Sequence, residues 1–181
     1  IKMKEDIKEV LFSSDTLSEK VRELAEKISE DYKGKDLVVV GILKGSVIFA
    51  AELIKNISIQ CEIDFMAVSS YGNSTETSGV VRILKDLDSN IEGKDILIVE
   101  DIVDTGTTLK YLLGYLKARK ANSIEIVSLL NKPARRKVEL DVKYIGFEVP
   151  DAFIVGYGID YAERYRNLPY IGILKPEVYE K

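Results

Sequence analysis

The sequence contains no histidine, and its one cysteine is Cys61. The absence of histidine excludes Ser-His-Asp and Cys-His catalysis, together with every zinc site that depends on imidazole. Acid–base chemistry must therefore come from Asp, Glu, Lys or Tyr, and a bound metal should be a hard cation such as Mg²⁺ held by carboxylates. A single cysteine cannot form an internal disulfide, which is the usual state of a protein in a reducing compartment.

Long apolar runs are also missing. No stretch of the 181 residues approaches the roughly 18 apolar residues that a membrane span requires, and the charged N-terminus lacks the apolar core of a signal peptide. We therefore expect a cytoplasmic location and no membrane partner. The net charge of −4 gives no global attraction to nucleic acid, so an anionic ligand must be held by a local site. The length fits one domain over residues 1–181.

Strand-like and helix-like segments alternate along the chain, which predicts an α/β fold with a mostly parallel sheet flanked by helices. A capping box at residues 16–19 predicts the start of the first helix, and Gly34 its end. Further helices are predicted at 47–55 and 109–118, and strands at 37–42, 63–68, 80–84, 96–99, 124–130, 144–149, 153–155 and 170–174. The polar loop 70–79 is of a length that commonly forms a lid or binding loop.

Two neighbouring carboxylates end a strongly apolar strand in residues 96–108 (ILIVEDIVDTGTT). Side chains on extended backbone point alternately to opposite faces, so we expect a turn between Glu100 and Asp101 if both are to face one ligand. Residues 104–108 then lead into a helix, whose free backbone N–H groups and dipole favour a phosphate. Gly106 allows close approach of the backbone. Carboxylates beside such a phosphate cradle suit a sugar phosphate, because they can accept from ribose hydroxyls directly or through Mg²⁺.

Each of these residues has a simpler structural explanation when taken alone. Glu100 and Asp101 could end a strand in solvent, and Asp104 or Thr105 could cap a helix. Together, however, the thirteen residues resemble the phosphoribosyl-diphosphate (PRPP) motif of the type I phosphoribosyltransferases throughout. The acid at Asp104 narrows the resemblance to the hypoxanthine-guanine phosphoribosyltransferases, where this residue faces N7 of the base. The adenine, orotate and uracil enzymes typically have no acid there.

The resemblance extends over most of the chain. Residues 43–46 are similar to the family's diphosphate-binding turn, in which the peptide bond before the lysine is cis. Residues 69–72 are similar to the start of its mobile catalytic loop. Lys132 matches the lysine that reads O6 of the purine, and residues 146–157 match the base-binding segment. Ligands in such folds bind beyond the carboxyl ends of the strands, so these segments should share one edge of the sheet.

The resemblance implies a Mg²⁺-dependent reaction of purine salvage, in which the 5-phosphoribosyl group passes from PRPP to hypoxanthine or guanine and gives IMP or GMP and diphosphate. The residues with implied catalytic roles are Lys44, Ser70, Tyr71, Asp104 and Arg166. Those implied to bind PRPP are Lys44, Gly45, Glu100, Asp101, Asp104, Thr105, Gly106, Thr107, Thr108 and Arg166. Those implied to bind the purine are Lys132, Phe153, Ile154 and Asp160, and those implied to hold Mg²⁺ are Glu100, Asp101 and Asp160.

The resemblance also implies a small hood formed by the terminal segments, with residues 150–181 contributing to base binding, and a homodimer or homotetramer. One departure from the family pattern is Ala152, where a lysine often stands. This departure puts one contact to diphosphate or backbone in doubt, but not the reaction.

Two other functions remain open from the sequence. A xanthine-preferring enzyme can carry the same PRPP motif. A non-catalytic regulator that binds PRPP and RNA on the same fold would be supported by the basic run 135–137, although Asp104 and the acidic net charge count against it. Ordinary structural explanations also exist for single residues: Lys44 and Lys132 could be solvated lysines, and Phe153 could lie in the core. Because Asp104 and the acidic net charge count against the RNA-binding regulator, we expect no nucleic-acid partner.

Overall fold

The computed structural model of the chain describes residues 2–70 and 81–180, with Lys2 and Ser70 described by their backbone alone. The predicted catalytic residue Tyr71, the side chain of Ser70 and the rest of the predicted loop 70–79 therefore lie outside the described residues. None of the helices within the described ranges is both long and apolar enough to cross a lipid bilayer.

Helices and strands alternate as the sequence predicts. In chain order the described elements are α1 (Lys2–Glu5), β1 (Ile7–Phe12), α2 (Ser14–Asp31), β2 (Leu37–Leu43), α3 (Val47–Asn56), β3 (Cys61–Ser70), β4 (Val81–Lys85), β5 (Asp95–Val103), α4 (Thr107–Lys117), β6 (Ser123–Asn131), a 3₁₀ turn (Pro133–Arg135), β7 (Tyr144–Glu148), β8 (Ile154–Val155), β9 (Ile171–Leu174) and α5 (Pro176–Tyr179).

A six-stranded sheet in the order β4-β3-β2-β5-β6-β7 forms the centre of the structure. All its neighbours are parallel except β4, which runs antiparallel to β3. Alternate residues of β2 and β5 pack against α2 and α3 on one face and against α4 on the other. Strands that are covered on both faces consist of nearly continuous apolar residues, so β2 and β5 can be predicted from the sequence alone. The predicted α/β class with a mostly parallel sheet is confirmed.

The terminal segments form a second, three-stranded sheet in the order β1-β9-β8. Strand β1 pairs antiparallel with β9, with Ile7 opposite Leu174 and Phe12 opposite Ile171, and β9 pairs antiparallel with β8. This sheet corresponds to the expected hood of terminal segments. The sequence did not predict β1, because several of its side chains are exposed and its burial does not alternate.

Two sequence predictions are wrong in detail. The first long helix begins at Ser14, two residues before the predicted capping box, because the Ser13 side chain accepts from the Thr16 N–H at 3.2 Å and caps the helix there. The expected turn between Glu100 and Asp101 is also absent from the described backbone. Strand β5 continues to Val103, because it pairs with β6 on either side of Asp101, with Glu100 opposite Ser128 and Ile102 opposite Leu130.

Candidate active site

Three predicted segments meet at the carboxyl edge of the large sheet. They are the turn after β2, the loop after β5 and the start of the segment after β6. The peptide bond between Leu43 and Lys44 is cis, as the resemblance implies. The turn after β2 lies directly against β5, since a Cβ added to Gly45 would overlap Oδ2 of Asp101. The strand order therefore places a basic turn beside the paired carboxylates.

The loop after β5 forms a small concave site. A cavity of about 150 Å³ is lined by Glu100, Ile102, Val103, Asp104, Thr105, Gly106, Thr108 and Leu109. Gly106 precedes α4 with a left-handed φ of +83° and has no side chain to cap the helix. The Thr107 N–H makes a long contact of 3.4 Å with the Thr105 hydroxyl, and the N–H groups that follow it in the first turn stay available to a ligand. The Thr105 and Thr107 hydroxyl oxygens are 2.7 Å apart and face the same turn. Backbone donors, hydroxyls and a helix N-terminus together suit a phosphate.

Residues of the basic run 135–137 donate hydrogen bonds to the backbone of the loop after β5. Arg136 Nε donates to the Asp104 carbonyl at 3.2 Å, and the Lys137 N–H donates to the Thr105 carbonyl at 2.9 Å. Arg136 also donates to the Asn131 side chain. These contacts within the protein engage part of the run that supported an RNA-binding regulator.

Glu100 and Asp101 are unfavourable in their ionised forms when no cation or hydrogen-bond donor accompanies them. Burial raises the pKa of Glu100 well above its usual value, and the neighbouring charge of Asp101 raises it further. Burial also raises the pKa of Asp101, although a hydrogen bond with Glu100 and one from the Ile102 N–H oppose the effect. A ligand that brings a cation or hydroxyl donors would favour the ionised pair.

Two adjacent carboxylates fit Mg²⁺, which prefers hard oxygen ligands and is often held by one or two carboxylates plus substrate phosphates. Within residues 2–70 and 81–180, no group of three or more such side chains forms a ready-made metal site. Asp160, the third predicted ligand, has its Oδ1 3.5 Å from Arg166 Nη2, and its Oδ2 accepts from the Glu163 N–H at 2.9 Å. The donor set is therefore suited to a cation that arrives with a phosphate ligand.

A larger cavity of about 500 Å³ adjoins Asp104. Its lining includes every residue predicted to bind the purine. The lining residues are Ile102, Asp104, Lys132, Arg135, Asp151, Ala152, Phe153, Ile154, Ile159, Asp160 and Tyr179. A volume of this size is ample for a flat bicyclic base.

Lys132 does not have the environment of a solvated surface lysine. Its side chain is 11% exposed, and Nζ lies 3.9 Å from Asp151 Oδ1. Nζ also donates to the Ala152 carbonyl at 2.9 Å. Burial of an ammonium group is unfavourable unless it is paired, so these contacts hold Lys132 in the cavity.

Phe153 projects into the cavity and is 44% exposed, which excludes the alternative of a core position. One face of its ring stacks on Tyr179, with centroids 4.0 Å apart, and Tyr161 meets it edge-on at 5.6 Å. The ring is therefore braced on one side by the C-terminal helix α5.

From the sequence alone, no site role was predicted for Arg135 or Tyr179 of this cavity, and Asp151 was included only as part of the base-binding segment 146–157. Arg135 Nε lies 2.8 Å from Asp104 Oδ1, and its Nη1 lies 3.6 Å from Asp151 Oδ1. Acid and base thus alternate from Asp104 through Arg135 and Asp151 to Lys132. No local sequence pattern predicts this row of alternating charges. Arg135 lies in the 3₁₀ turn and Asp151 in the β7–β8 connection, and these two segments come together only in the folded protein.

The two predicted diphosphate-binding cations also lie near each other. Arg166 Nη1 donates to the Gly158 carbonyl at 2.8 Å, and a Cβ on Gly158 would overlap the Gly45 carbonyl oxygen. Lys44 and Arg166 both contact Glu163, which is another residue that the sequence did not identify. The buried Nε of Arg166 has no hydrogen-bond partner among the described residues, so this donor remains for a ligand.

For the PRPP-dependent reaction that the resemblance implies, Gly45→Ala is expected to lower kcat/KM by roughly 10- to 100-fold, since misplacement of a site by about 1 Å can have effects of this order. The new methyl group must displace the Asp101 carboxylate or the turn itself. Gly114→Ala is the matched control, because a Cβ in α4 meets nothing within 4 Å there. Steady-state kinetics and thermal melting of both variants check the prediction. Wild-type kcat/KM in a folded Gly45→Ala protein would contradict it.

Comparison with known proteins identifies close relatives of the chain. The family model of the phosphoribosyl transferase domain matches residues 12–162. A hypoxanthine-guanine phosphoribosyltransferase of Bacillus subtilis (strain 168) is 57% identical over 178 residues, which cover 98% of this chain and 99% of that protein. The crystal structure of a hypoxanthine phosphoribosyltransferase from Staphylococcus aureus matches with a TM-score of 0.98 and 55% identity, over 100% of this chain and 98% of that one.

A longer relative contains a similar segment. The bifunctional protein TilS/HprT of Listeria monocytogenes (serotype 4b, strain F2365) is 55% identical over 179 residues, or 99% of this chain. The chain spans 28% of the length of that protein.

Proposed function

The chain belongs to the phosphoribosyl transferase domain family, and from this we propose that it is a pentosyltransferase of purine salvage. It transfers the 5-phosphoribosyl group from PRPP to hypoxanthine or guanine, giving IMP or GMP plus diphosphate. The observation that carries the proposal is the purine-sized cavity that holds both Asp104 and Lys132 and adjoins the phosphate cradle. The relatives named as hypoxanthine-guanine phosphoribosyltransferases support it over nearly the whole chain.

PRPP would lie along the carboxyl edge of the sheet. The cradle of residues 104–108 would hold the 5′-phosphate. Glu100 lines the cradle cavity and Asp101 lies against Gly45, so each would accept from a different ribose hydroxyl without a turn between them. Lys44, Gly45 and Arg166 would bind the diphosphate group, whose negative charge these two cations offset. The contact between Gly45 and Asp101 supports this order, because it places the diphosphate turn beside the ribose acids.

Glu100, Asp101 and Asp160 would hold Mg²⁺ together with PRPP. When bound, this ion supplies positive charge that stabilises the departing diphosphate. The raised pKa values of Glu100 and Asp101 support the assignment, because buried neighbouring acids gain most from a divalent cation.

In the transfer, the bond from C1′ of ribose to diphosphate breaks while the bond to N9 of the purine forms. The carbon passes through a state that resembles an oxocarbenium ion. Asp104 takes or shares the proton at N7 so that the base can attack, and Lys44 and Arg166 neutralise the leaving group. Closure of loop 70–79, with Ser70 and Tyr71, would exclude water that otherwise hydrolyses the cation-like carbon. Residues 71–79 of that loop and the side chain of Ser70 lie outside the described residues.

The purine would stack on the face of Phe153 opposite Tyr179, with O6 toward Lys132. Carbonyl groups near Ile154 and Asp160 would accept from the N2 amine of guanine. A regulator that binds RNA finds little support, since Arg135 pairs with Asp104 and Asp151 and Arg136 holds the cradle loop. We further propose that the enzyme works in the cytoplasm as a homodimer or homotetramer.

Purified protein with saturating PRPP and Mg²⁺ is expected to convert hypoxanthine and guanine and to leave adenine and uracil unchanged. A chelator should abolish turnover, and excess Mg²⁺ should restore it. Nucleotide formation is measured in parallel for hypoxanthine, guanine, xanthine, adenine and uracil. Failure with both hypoxanthine and guanine would contradict the enzyme proposal, and turnover of xanthine alone would favour the xanthine-preferring alternative.

A further inference from the structure

Glu163 joins the two cations proposed to bind diphosphate. Its Oε2 lies 3.2 Å from Lys44 Nζ, and its Oε1 lies 3.1 Å from Arg166 Nη2. Both contacts also meet the geometry of hydrogen bonds. Lys44 follows β2, whereas Glu163 and Arg166 lie between β8 and β9, so one carboxylate bridges two separate parts of the carboxyl edge.

The backbone around Glu163 is held in an unusual conformation. Ala162 and Glu163 have φ values of +52° and +66°, and Tyr165 has +75°. Residues with a side chain adopt this left-handed region uncommonly, and such conformations persist where the surrounding structure enforces them. Here the Glu163 N–H donates to Asp160 Oδ2 at 2.9 Å, which fixes the turn from which the carboxylate reaches Lys44.

The positive charges of Lys44 and Arg166 are partly balanced by a carboxylate of the protein itself, that of Glu163. The Glu163 carboxylate lies 3.2 Å from Lys44 Nζ and 3.1 Å from Arg166 Nη2, so its negative charge offsets part of their positive charge. A diphosphate group that binds Lys44 and Arg166 must compete with this carboxylate for the same N–H donors.

We propose that Glu163 is the internal counter-ion of the diphosphate site: its carboxylate binds Lys44 and Arg166 when no diphosphate is present and releases them when diphosphate arrives. The inference rests on the proposed role of these two cations. Glu163 would thereby weaken the hold of the enzyme on free diphosphate and assist release of this product.

The sign of the change in diphosphate affinity when Glu163 is substituted separates the counter-ion role from a positioning role. If Glu163 competes with diphosphate, its removal tightens diphosphate binding. If Glu163 instead orders the two cations for the ligand, its removal weakens binding. The Glu163 side chain is 62% exposed, with Lys44 69% and Arg166 24% exposed. Because the shared carboxylate is exposed in both ion pairs, the gain in affinity should be modest, roughly 2- to 10-fold.

Glu163→Gln in the full chain is the test, because glutamine keeps the size of the side chain and removes its charge. Isothermal titration with inorganic diphosphate and Mg²⁺ should give a Kd roughly 2- to 10-fold below that of the wild type. The gain should shrink as salt is raised, since salt screens exposed charges. The same variant should show a lower inhibition constant for diphosphate in the transfer assay.

Glu62→Gln is the matched control. Glu62 is half-exposed and pairs with Lys94 at 3.1 Å, but it lies at the opposite end of the strands. The control loses the same charge and the same kind of ion pair, so its Kd for diphosphate should equal that of the wild type.

Lys44→Ala and Arg166→Ala separate failure of this inference from failure of the proposed function. Both should weaken diphosphate binding if the cations hold that group. If they do so while Glu163→Gln binds diphosphate no better than the wild type, the counter-ion role is refuted and the diphosphate site stands. If neither alanine variant weakens binding, the proposed diphosphate site and the inference built on it both fail.

Discussion

Asp104→Asn is expected to lower kcat by roughly 10²-fold or more while PRPP still binds, because general-base catalysis contributes about that much. Asparagine matches the shape of the aspartate but cannot take the N7 proton. The phosphate cradle should persist, because its donors are mostly backbone and hydroxyl groups and Arg136 holds the Asp104 carbonyl rather than the carboxylate. The measurements are kcat at saturating substrates and the Kd of PRPP in the same protein.

Asp151→Asn is the informative comparison for Asp104→Asn. Asp151 contacts the same Arg135 side chain and lines the same cavity, but it has no proposed proton to accept. Its substitution should reduce kcat far less than the change at Asp104. A collapse of PRPP affinity in Asp104→Asn, with kcat per bound complex untouched, would instead make Asp104 a residue that positions the ligand.

Base selectivity is expected to change most when Lys132 is substituted. A 6-oxopurine presents an acceptor at position 6, whereas adenine presents an amine donor, and an ammonium group can only donate. Adenine would therefore place its amine donor against the ammonium donor of the largely buried Lys132 side chain. An unpaired buried polar group costs roughly 1–3 kcal/mol, so this one contact can discriminate on the order of 10- to 10³-fold.

Lys132→Gln should relax the preference, because its amide can offer either a donor or an acceptor. Lys132→Ala should weaken 6-oxopurine binding and leave PRPP binding intact. Lys137→Ala is the control, since Lys137 is an exposed lysine of the same basic segment. The measurement is kcat/KM for hypoxanthine, guanine and adenine in each variant. Unchanged ratios among the three bases in both Lys132 variants would place Lys132 outside base recognition.

The parts of the fold that the sequence predicts are those with a local physical signature. Strands β2 and β5 are buried on both faces and therefore appear as unbroken apolar runs. Strand β1 is partly exposed and gains its structure from pairing with β9, some 160 residues later in the chain, so no local pattern predicts it. The start of α2 was misplaced because Ser13 caps the helix before the apparent capping box can do so.

The same distinction applies to the site. Residues 96–108 are contiguous, so a strand, two acids and a phosphate loop can be read together and matched to a family. Arg135, Tyr179 and Glu163 enter the site through tertiary contacts with Asp104, Phe153 and Lys44. From the sequence alone these three residues look like ordinary surface residues. Arg135 lies in a basic run, Tyr179 in a short helix, and Glu163 is exposed.

The pairing of β1 with β9 has a consequence for the order in which the molecule can be completed during synthesis. Strand β1 precedes every strand of the large sheet along the chain, and β9 follows them all. A growing chain can assemble β2 to β7, with the phosphate loop, before β9 has left the ribosome. The wall that carries Phe153 forms last, because β9 is the one strand paired with β8 among the described residues. A nascent chain would therefore acquire its phosphate-binding half before it acquires a pocket for a purine.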